Sequence, residues 1–346
     1  RTVGTVWLLV WGDAGVVDFF LWQLAMTALE LVWLLARLRS WMPSARAAAP
    51  PGPRLAPLRR VWRFAGGVFV TNLCAAFMTQ IDKLILSRAL PLEEFGFYAF
   101  AYTLGTAVAV FTTPIFQAVM PRLTVDIASG DANRPVATYR KASQTMAVIV
   151  LPLAAVMVCH AHALIFTWSD DRLLAERSAA LAAVFVAAYA LNSLVHVPAA
   201  LALSHGWSGW AMVSNLLACV LVVPGVYIGL AYLGTIGAAL ANLGLNVLYF
   251  VVAVWFLHRR YLVGQWRAWF FLDSLVPMAV AFGLAGAAML LGDATRGRVP
   301  TGAFLVTLWA AVALATALSL RFPREMVMQG LARFATALGF RPAQQP

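Results

Sequence analysis

Two ionisable residues stand side by side inside an apolar run, Asp82 and Lys83 in T79-Q-I-D-K-L-I-L-S-R-A-L90. A charge at mid-membrane costs about 2.5–3.5 kcal/mol on insertion scales, so it normally has a partner or lines a wet cavity. Neighbours on a helix point about 100° apart, so the two side chains are not expected to pair with each other. Lys83 shares a face with Gln80 and Ser87. The alternative is that both charges sit at the outer interface and snorkel to water. Glu30, with Gln23 on the same early segment, either lines a polar groove or pairs with Arg37. Asn72, Asn192, Asn215, Asn242 and Asn246 are spread through apolar runs. Intramembrane amides commonly bridge helices, for about 0.6–2 kcal/mol each. Asn192 and His196 lie four apart, on one helical face that is then a candidate wet surface.

Other chemistries find no support in the sequence. His160 and His162 are two apart, the wrong spacing for one helical face, and no zinc-ligand pattern occurs. No G-x-x-x-x-G-K-[ST] run is present, so no ATP-hydrolysing loop is expected. Cys74, Cys159 and Cys219 fall in apolar segments without C-x-x-C spacing and read as packing residues. No cofactor and no metal are expected.

The elements that must hold these residues are membrane helices. Hydrophobic residues make up 62% of the 346 and charged residues 11%, with mean hydropathy +0.81. Soluble domains carry about 25% charge, and this chain could not coat so much apolar surface with polar groups. A span needs about 20 apolar residues. Nine such stretches are predicted, at about 16–37, 64–88, 95–120, 142–166, 178–203, 207–231, 235–257, 270–291 and 301–320. The fold class is therefore all-α, a polytopic membrane helical bundle. Residues 2–11 look like the end of an earlier helix and the chain opens on Arg1, so an N-terminally truncated chain is expected. The Pro- and Ala-rich stretch 40–60 reads as an irregular linker, and the run after 321 as a moderately amphipathic tail.

The net charge of +11 comes mostly from Arg in short loops. Nucleic acid is not expected as a partner; the pattern reads as a topology signal. Arg37, Arg54, Arg122, Arg140, Arg259 and Arg321 mark stretches that fall on one side, and the poorer loops near Glu93, Asp170 and Asp293 fall on the other. The linker and the C-terminus are predicted to be cytoplasmic. Pro114, Pro152, Pro198 and Pro224 lie inside spans, as kinks for shape or as hinges.

Three stretches carry more than hydropathy. One is Q80-I-D-K-L-I-L-S-R-A-L-P-L-E-E-F-G-F-Y-A-F-A-Y102; another is P121-R-L-T-V-D-I-A-S-G-D131 followed by Y139-R-K-A142; the third is G234-T-I-G-A-A-L-A-N242. In the last, Gly237 and Ala241 are spaced to let helix backbones approach. In this order and spacing the three resemble the polysaccharide-biosynthesis branch of the multidrug/oligosaccharidyl-lipid/polysaccharide exporter superfamily, over about residues 12–260. The resemblance implies two six-helix lobes around a cavity that opens alternately to each side. It makes residues 1–39 the end of the first lobe, 40–60 the inter-lobe linker, 61–260 the second lobe, 261–320 two additional helices and 321–346 a cytoplasmic tail.

It also implies a flippase for undecaprenyl-pyrophosphate-linked oligosaccharide in the bacterial inner membrane, working in surface polysaccharide synthesis and not as an enzyme. Such cargo calls for basic groups to receive phosphate and for amides to bond sugar hydroxyls. The substrate-binding candidates are Asp82, Lys83, Gln80, Asn72, Glu30, Arg122, Asn192, His196 and Asn242. Arg122, after Pro121 at a helix end, either receives phosphate from the inner leaflet or anchors the helix as a positive-inside residue. Implied partners are membrane lipids, H+ or Na+ as coupling ion, and polysaccharide polymerase or glycosyltransferases. A cation-coupled multidrug exporter of the same superfamily is the nearest alternative, favoured by acidic cavity residues. A multi-pass glycosyltransferase or O-antigen polymerase is the alternative from another class; it requires a sizeable outer loop, and the richest here is S169-D-D-R-L-L-A-E-R177.

Overall fold

The computed structural model describes residues 4–5, 15–41, 62, 66, 69, 73–74, 76–77, 80–207, 209–290 and 297–337. The chain forms two compact units, Arg1–Trp62 and Arg63–Pro346. Every regular element among the described residues is helical.

The first unit holds α1, Val16–Trp41. Asp18 begins it by accepting the Gly15 amide at 3.0 Å, which also places a negative charge at the positive end of the helix dipole. Gln23 donates to Thr5 at 3.1 Å. The linker predicted at 40–60 lies, beyond its first two residues, outside the described residues.

The second unit opens with α2 (80–89) and α3 (Leu92–Ala107), separated by Pro91. A 3-10 turn, Val108–Phe111, leads into α4 (Thr112–Ala128). Then come α5 (Asn133–Cys159), the short α6 (Ala161–Ser169) and α7 (Arg172–Ser204). α8 (Gly209–Leu233) and α9 (Thr235–Leu248) follow. A π-helical turn, Tyr249–Ala253, joins α9 to α10 (Val254–Tyr261). A second π-helix, Ala268–Leu275, runs into α11 (Val276–Met289), and α12 (Arg298–Ser319) and α13 (Arg321–Ala337) close the unit.

Eight helical stretches among the described residues are long and apolar enough to cross a membrane: Val17–Ser40, Leu92–Ala128, Asn133–Cys159, Arg172–Ser204, Val213–Leu233, Thr235–Tyr261, Ala268–Met289 and Arg298–Ser319. They answer eight of the nine predicted spans; of the ninth, 64–88, only the end from residue 80 is continuously described. Large apolar side chains cover the outside of these helices, Leu216, Val220 and Ile228 on α8 among them. Lipid is the solvent such a surface requires, and each helix satisfies its own backbone there. The protein is a multi-pass membrane protein.

The span predicted at 142–166 ends earlier than expected. Helix α5 stops at Cys159 because His160 leaves the helical region, with φ −117° and ψ 31°. Its ring meets the Ala285 carbonyl of α11 at 3.1 Å, a tertiary bond that competes with helix continuation. The loop around Asp170 is correspondingly tight. Asp170 takes the left-handed conformation at the end of α6, and Asp171 caps α7 by accepting the Leu174 amide at 3.0 Å. Arg298 pairs with Asp170 at 3.0 Å, and Arg177 pairs with Glu94.

Helix α7 is the centre of the second unit. Its 33 residues span about 50 Å. Alanines at 175, 182, 188, 190 and 200 are buried along it, and small side chains let neighbours come close. It packs against α3, α4, α5, α6 and α9. A Cβ on Gly105 of α3 would lie 2.5 Å from the Phe185 Cβ. Two apolar cores result. One joins α2, α3, α8 and α9 to α7 around Tyr98, Phe185 and Val222. The other joins α5, α11 and α12 to α7 around Met146, Leu151 and Ala285.

The G234–N242 motif performs the packing expected of it. Only Gly234, at φ 65°, separates α8 from α9. A Cβ on Gly237 would lie 2.0 Å from the Gly229 carbonyl oxygen, and one on Gly225 would lie 3.3 Å from the Ala241 Cβ. Gly237→Ala is therefore expected to cost at least the roughly 1–3 kcal/mol of an overpacked core. It should lower the melting temperature of the detergent-solubilised protein, read by fluorescence size-exclusion after heating, whereas Gly244→Ala, with open space at its Cβ, should leave it unchanged.

Candidate functional site

Among the described residues, two carboxylates are buried, Asp82 and Asp273, one in each core. A carboxylate in an apolar bundle needs donors, and each core supplies them differently.

Asp82 is 4% exposed. Its Oδ2 accepts from the Tyr98 hydroxyl at 3.0 Å and its Oδ1 from the Lys83 backbone amide at 2.8 Å. The Lys83 ammonium leaves along another direction and sits 3.5 Å from the centroid of the Tyr102 ring, a cation–π contact. Tyr189 of α7 donates to the Tyr102 hydroxyl at 2.8 Å. Tyr98 and Tyr102 both meet Phe185 edge-on, at 5.2 and 5.4 Å. The i,i+4 pairs 98/102 on α3 and 185/189 on α7 thus face each other and clamp the two charges of α2. Beside them Gln80, Lys83 and Ser87 line one depression of about 410 Å³, the shared face expected from their spacing.

A second polar surface lies where α4, α7, α8 and the first π turn meet. Asn192, His196, Ser214, Asn215, Tyr249 and Phe116 line a cavity of about 260 Å³. Asn192 donates to the Asn246 side-chain oxygen at 2.8 Å, and Asn246 donates back along α9 to the Asn242 side-chain oxygen at 3.0 Å. His196 Nδ1 lies 2.9 Å from the Asn192 carbonyl. A carbonyl can only accept, so Nδ1 carries the proton and the neutral ring keeps Nε2 as an acceptor. Tyr249 donates to the Ser214 carbonyl at 2.8 Å, held where the helix widens to π geometry. Such widenings recur at functional sites. The cavity therefore offers hydroxyl, amide and imidazole groups beside the Phe116 ring, a surface suited to neutral polyhydroxylated ligands.

Asp273 is held by a full ion pair. Arg140 reaches both carboxylate oxygens, Nε to Oδ2 at 2.9 Å and Nη2 to Oδ1 at 3.0 Å, and the Gln144 amide donates to Oδ1 at 2.8 Å. The Gln144 carbonyl in turn accepts the Phe322 amide at 2.9 Å, which ties the start of α13 to α5. Next to it His258 Nδ1 bonds the Val254 carbonyl, so its Nε2 accepts from the Tyr139 hydroxyl at 3.1 Å. This arrangement fastens α10, the second π-helix and α13 to α5 through groups that already have partners, and it reads as structural.

Of the residues singled out from sequence, Asp82, Lys83 and Gln80 meet at one place, and Asn192, His196 and Asn242 at another. Arg122 is exposed on α4. Glu30 is exposed on α1 in the first unit, and Asn72 lies outside the described residues. Tyr98, Tyr102 and Tyr189 were not anticipated, although their i,i+4 spacing with each other and with Phe185 was a usable signal. Asp273 was missed too, and a lone acid inside W269-F-F-L-D-S-L-V-P277 was its signal.

The fold defines a multi-pass membrane protein that is helical throughout its described residues. Residues 5–169, just under half of the chain, match the family model described as Polysaccharide biosynthesis protein. The matched stretch contains the Asp82–Tyr102 and Pro121–Ala142 motifs and ends before Gly234. No curated protein and no solved structure matches the chain.

The Arg140–Asp273 pair lends itself to a double-mutant cycle. Removing one partner of a buried pair costs roughly 3–5 kcal/mol. The lower end is expected for Asp273→Asn, since 34% of the Arg140 side chain remains exposed to accept other partners. Arg140→Gln should cost more than Asp273→Asn, because it leaves the buried carboxylate without its counter-ion. The double variant should be less destabilised than the sum, as read from thermal unfolding in detergent.

Proposed function

We propose that this protein moves undecaprenyl-pyrophosphate-linked oligosaccharide from the inner to the outer leaflet of a bacterial cytoplasmic membrane, by alternating access of two helical lobes. The observation that carries the reading is the family match over residues 5–169, which falls on the same segment as the clamped Asp82–Lys83 pair. No bond need be made or broken. Residues 1–39 close the first lobe, 61–260 form the second, 261–320 add two helices, and the C-terminal helix is cytoplasmic.

The amide and imidazole cavity at Asn192, His196 and Asn215 receives sugar hydroxyls, with Asn242 holding Asn246 and through it Asn192 in place. Lys83, with Gln80 and Ser87 on its depression, supplies positive charge to the pyrophosphate. Arg122, exposed at a helix end, meets phosphate at the inner leaflet. Asp82 binds the coupling proton or sodium ion. Polymerase or glycosyltransferases stand on either side of this step.

A buried carboxylate beside aromatic rings also suits cation-coupled drug export, and Asp82 is the observation that favours this second reading. Complementation separates them. The full reading frame is expressed in a bacterium lacking its own lipid-linked-oligosaccharide flippase, with variants matched for membrane level. Wild type should restore surface polysaccharide. Asp82→Asn and Lys83→Gln should each lower it at least about tenfold, as expected when about 1.4 kcal/mol is lost from a rate-limiting step. Failure of well-inserted wild type across several sugar backgrounds, together with resistance to a cationic drug, would replace flipping by drug export.

A further inference from the structure

Next to the second polar surface, with which it shares the π turn that begins at Tyr249, the chain folds back between α10 and α11 and leaves an aromatic crevice. The turn passes through Gly264 at φ 84°, and the backbone on each side is π-helical, over Tyr249–Ala253 and Ala268–Leu275. A π-helical turn is wider than an α-helical one and spreads the side chains that flank it. The resulting space is about 410 Å³, lined by Phe250, Val252, Trp255, Trp266, Trp269 and Phe270. Its volume falls within the roughly 300–1,000 Å³ of known ligand pockets. Trp269 and Phe250 are buried at its floor, while Val252 and Trp255 are exposed at its rim.

The mouth is cationic. The Arg259 guanidinium lies 4.0 Å from the centroid of the Trp255 ring, and that of Arg267 lies 5.9 Å from Trp266. Arg260 stacks nearby on Trp207 at 4.6 Å. All three arginines are exposed, and none is ion-paired with a carboxylate among the described residues. The nearest acid in sequence, Asp273, is committed to Arg140. Arginine stays charged in any membrane environment, and its planar fork matches two phosphate oxygens.

We propose that this crevice, with Arg259 and Arg267 at its rim, holds one anionic phospholipid of the surrounding membrane, its acyl chain against the tryptophans and its phosphate on the two guanidiniums. The turn between two membrane spans sets the crevice at the depth where headgroups meet hydrocarbon, and interhelical basic pockets there are suited to anionic headgroups. A glycan-bearing lipid is the other source of the same chemistry. The aromatic and aliphatic lining offers its sugars little to bond with, so the phospholipid is the occupant the lining favours. This inference does not depend on the transported cargo.

The test titrates the delipidated full chain in detergent with phosphatidylglycerol and phosphatidylcholine of matched acyl chains, counting bound lipid by native mass spectrometry. One phosphatidylglycerol should bind at least roughly tenfold more tightly than phosphatidylcholine. R259Q/R267Q should bring phosphatidylglycerol down to the phosphatidylcholine level, and Val252→Trp, which fills the crevice, should weaken both. Equal binding of the two lipids by wild type, or no effect of R259Q/R267Q, would overturn the proposal. So would displacement of phosphatidylglycerol by equimolar undecaprenyl phosphate, which would make the crevice a cargo site. Should a variant not fold, the wild type decides: acyl-brominated phosphatidylglycerol should quench tryptophan emission more than brominated phosphatidylcholine, and equal quenching would sink the assignment.

Discussion

A carboxylate cannot remain ionised in hydrocarbon without donors, and the second unit is organised around two carboxylates that have found them. Asp82 takes a tyrosine hydroxyl and a backbone amide; Asp273 takes a guanidinium and a carboxamide. The difference sorts their roles. Asp273 faces a full positive charge aligned on both oxygens, so its occupancy by anything else requires breaking a pair. Asp82 is held by neutral donors, with the nearest cation turned onto an aromatic face. That neutral set of donors is what supports the coupling role proposed for Asp82.

Helix α7 makes the aromatic clamp at Asp82 and the amide cavity parts of one structure. On one side its Phe185 and Tyr189 complete the aromatic clamp around α2 and α3. Further along, Ser193 accepts from Thr112 at 2.8 Å, joining the helix to the start of α4, and Asn192 and His196 open the amide cavity. These polar groups follow one another from residue 189 to 196. A shift of α7 would change the tyrosine pair and the amide cavity together. Departures from α-helical geometry lie beside the same surfaces: the 3-10 turn precedes Thr112, and a π turn opens at Tyr249.

The helices were legible in the sequence because hydropathy over about 20 residues is a demand of the bilayer itself. The close approach at Gly237 was legible for a similar reason, since only small residues permit it. Asp82 and Lys83 stood out because charge in an apolar run is costly. What could not be read was partnership. Arg140 looked like one more positive-inside residue, because its partner Asp273 is more than a hundred residues away and enters from a different helix. Tyr98 looked like the opening of a helix and proved to be the donor to Asp82. The early end of α5 at Cys159 was equally hidden, because His160 bonds a carbonyl of α11 that no local pattern announces.

The single glycine between α8 and α9 bears on how the protein is made. Its one residue offers no polar loop between one crossing and the next. The backbones already touch at Gly229 and Gly237, within about one helical turn of that glycine. Residues 209–248 form one hairpin whose two arms complete each other's packing. Until the second arm has left the ribosome, the glycine face of the first has no partner to rest against.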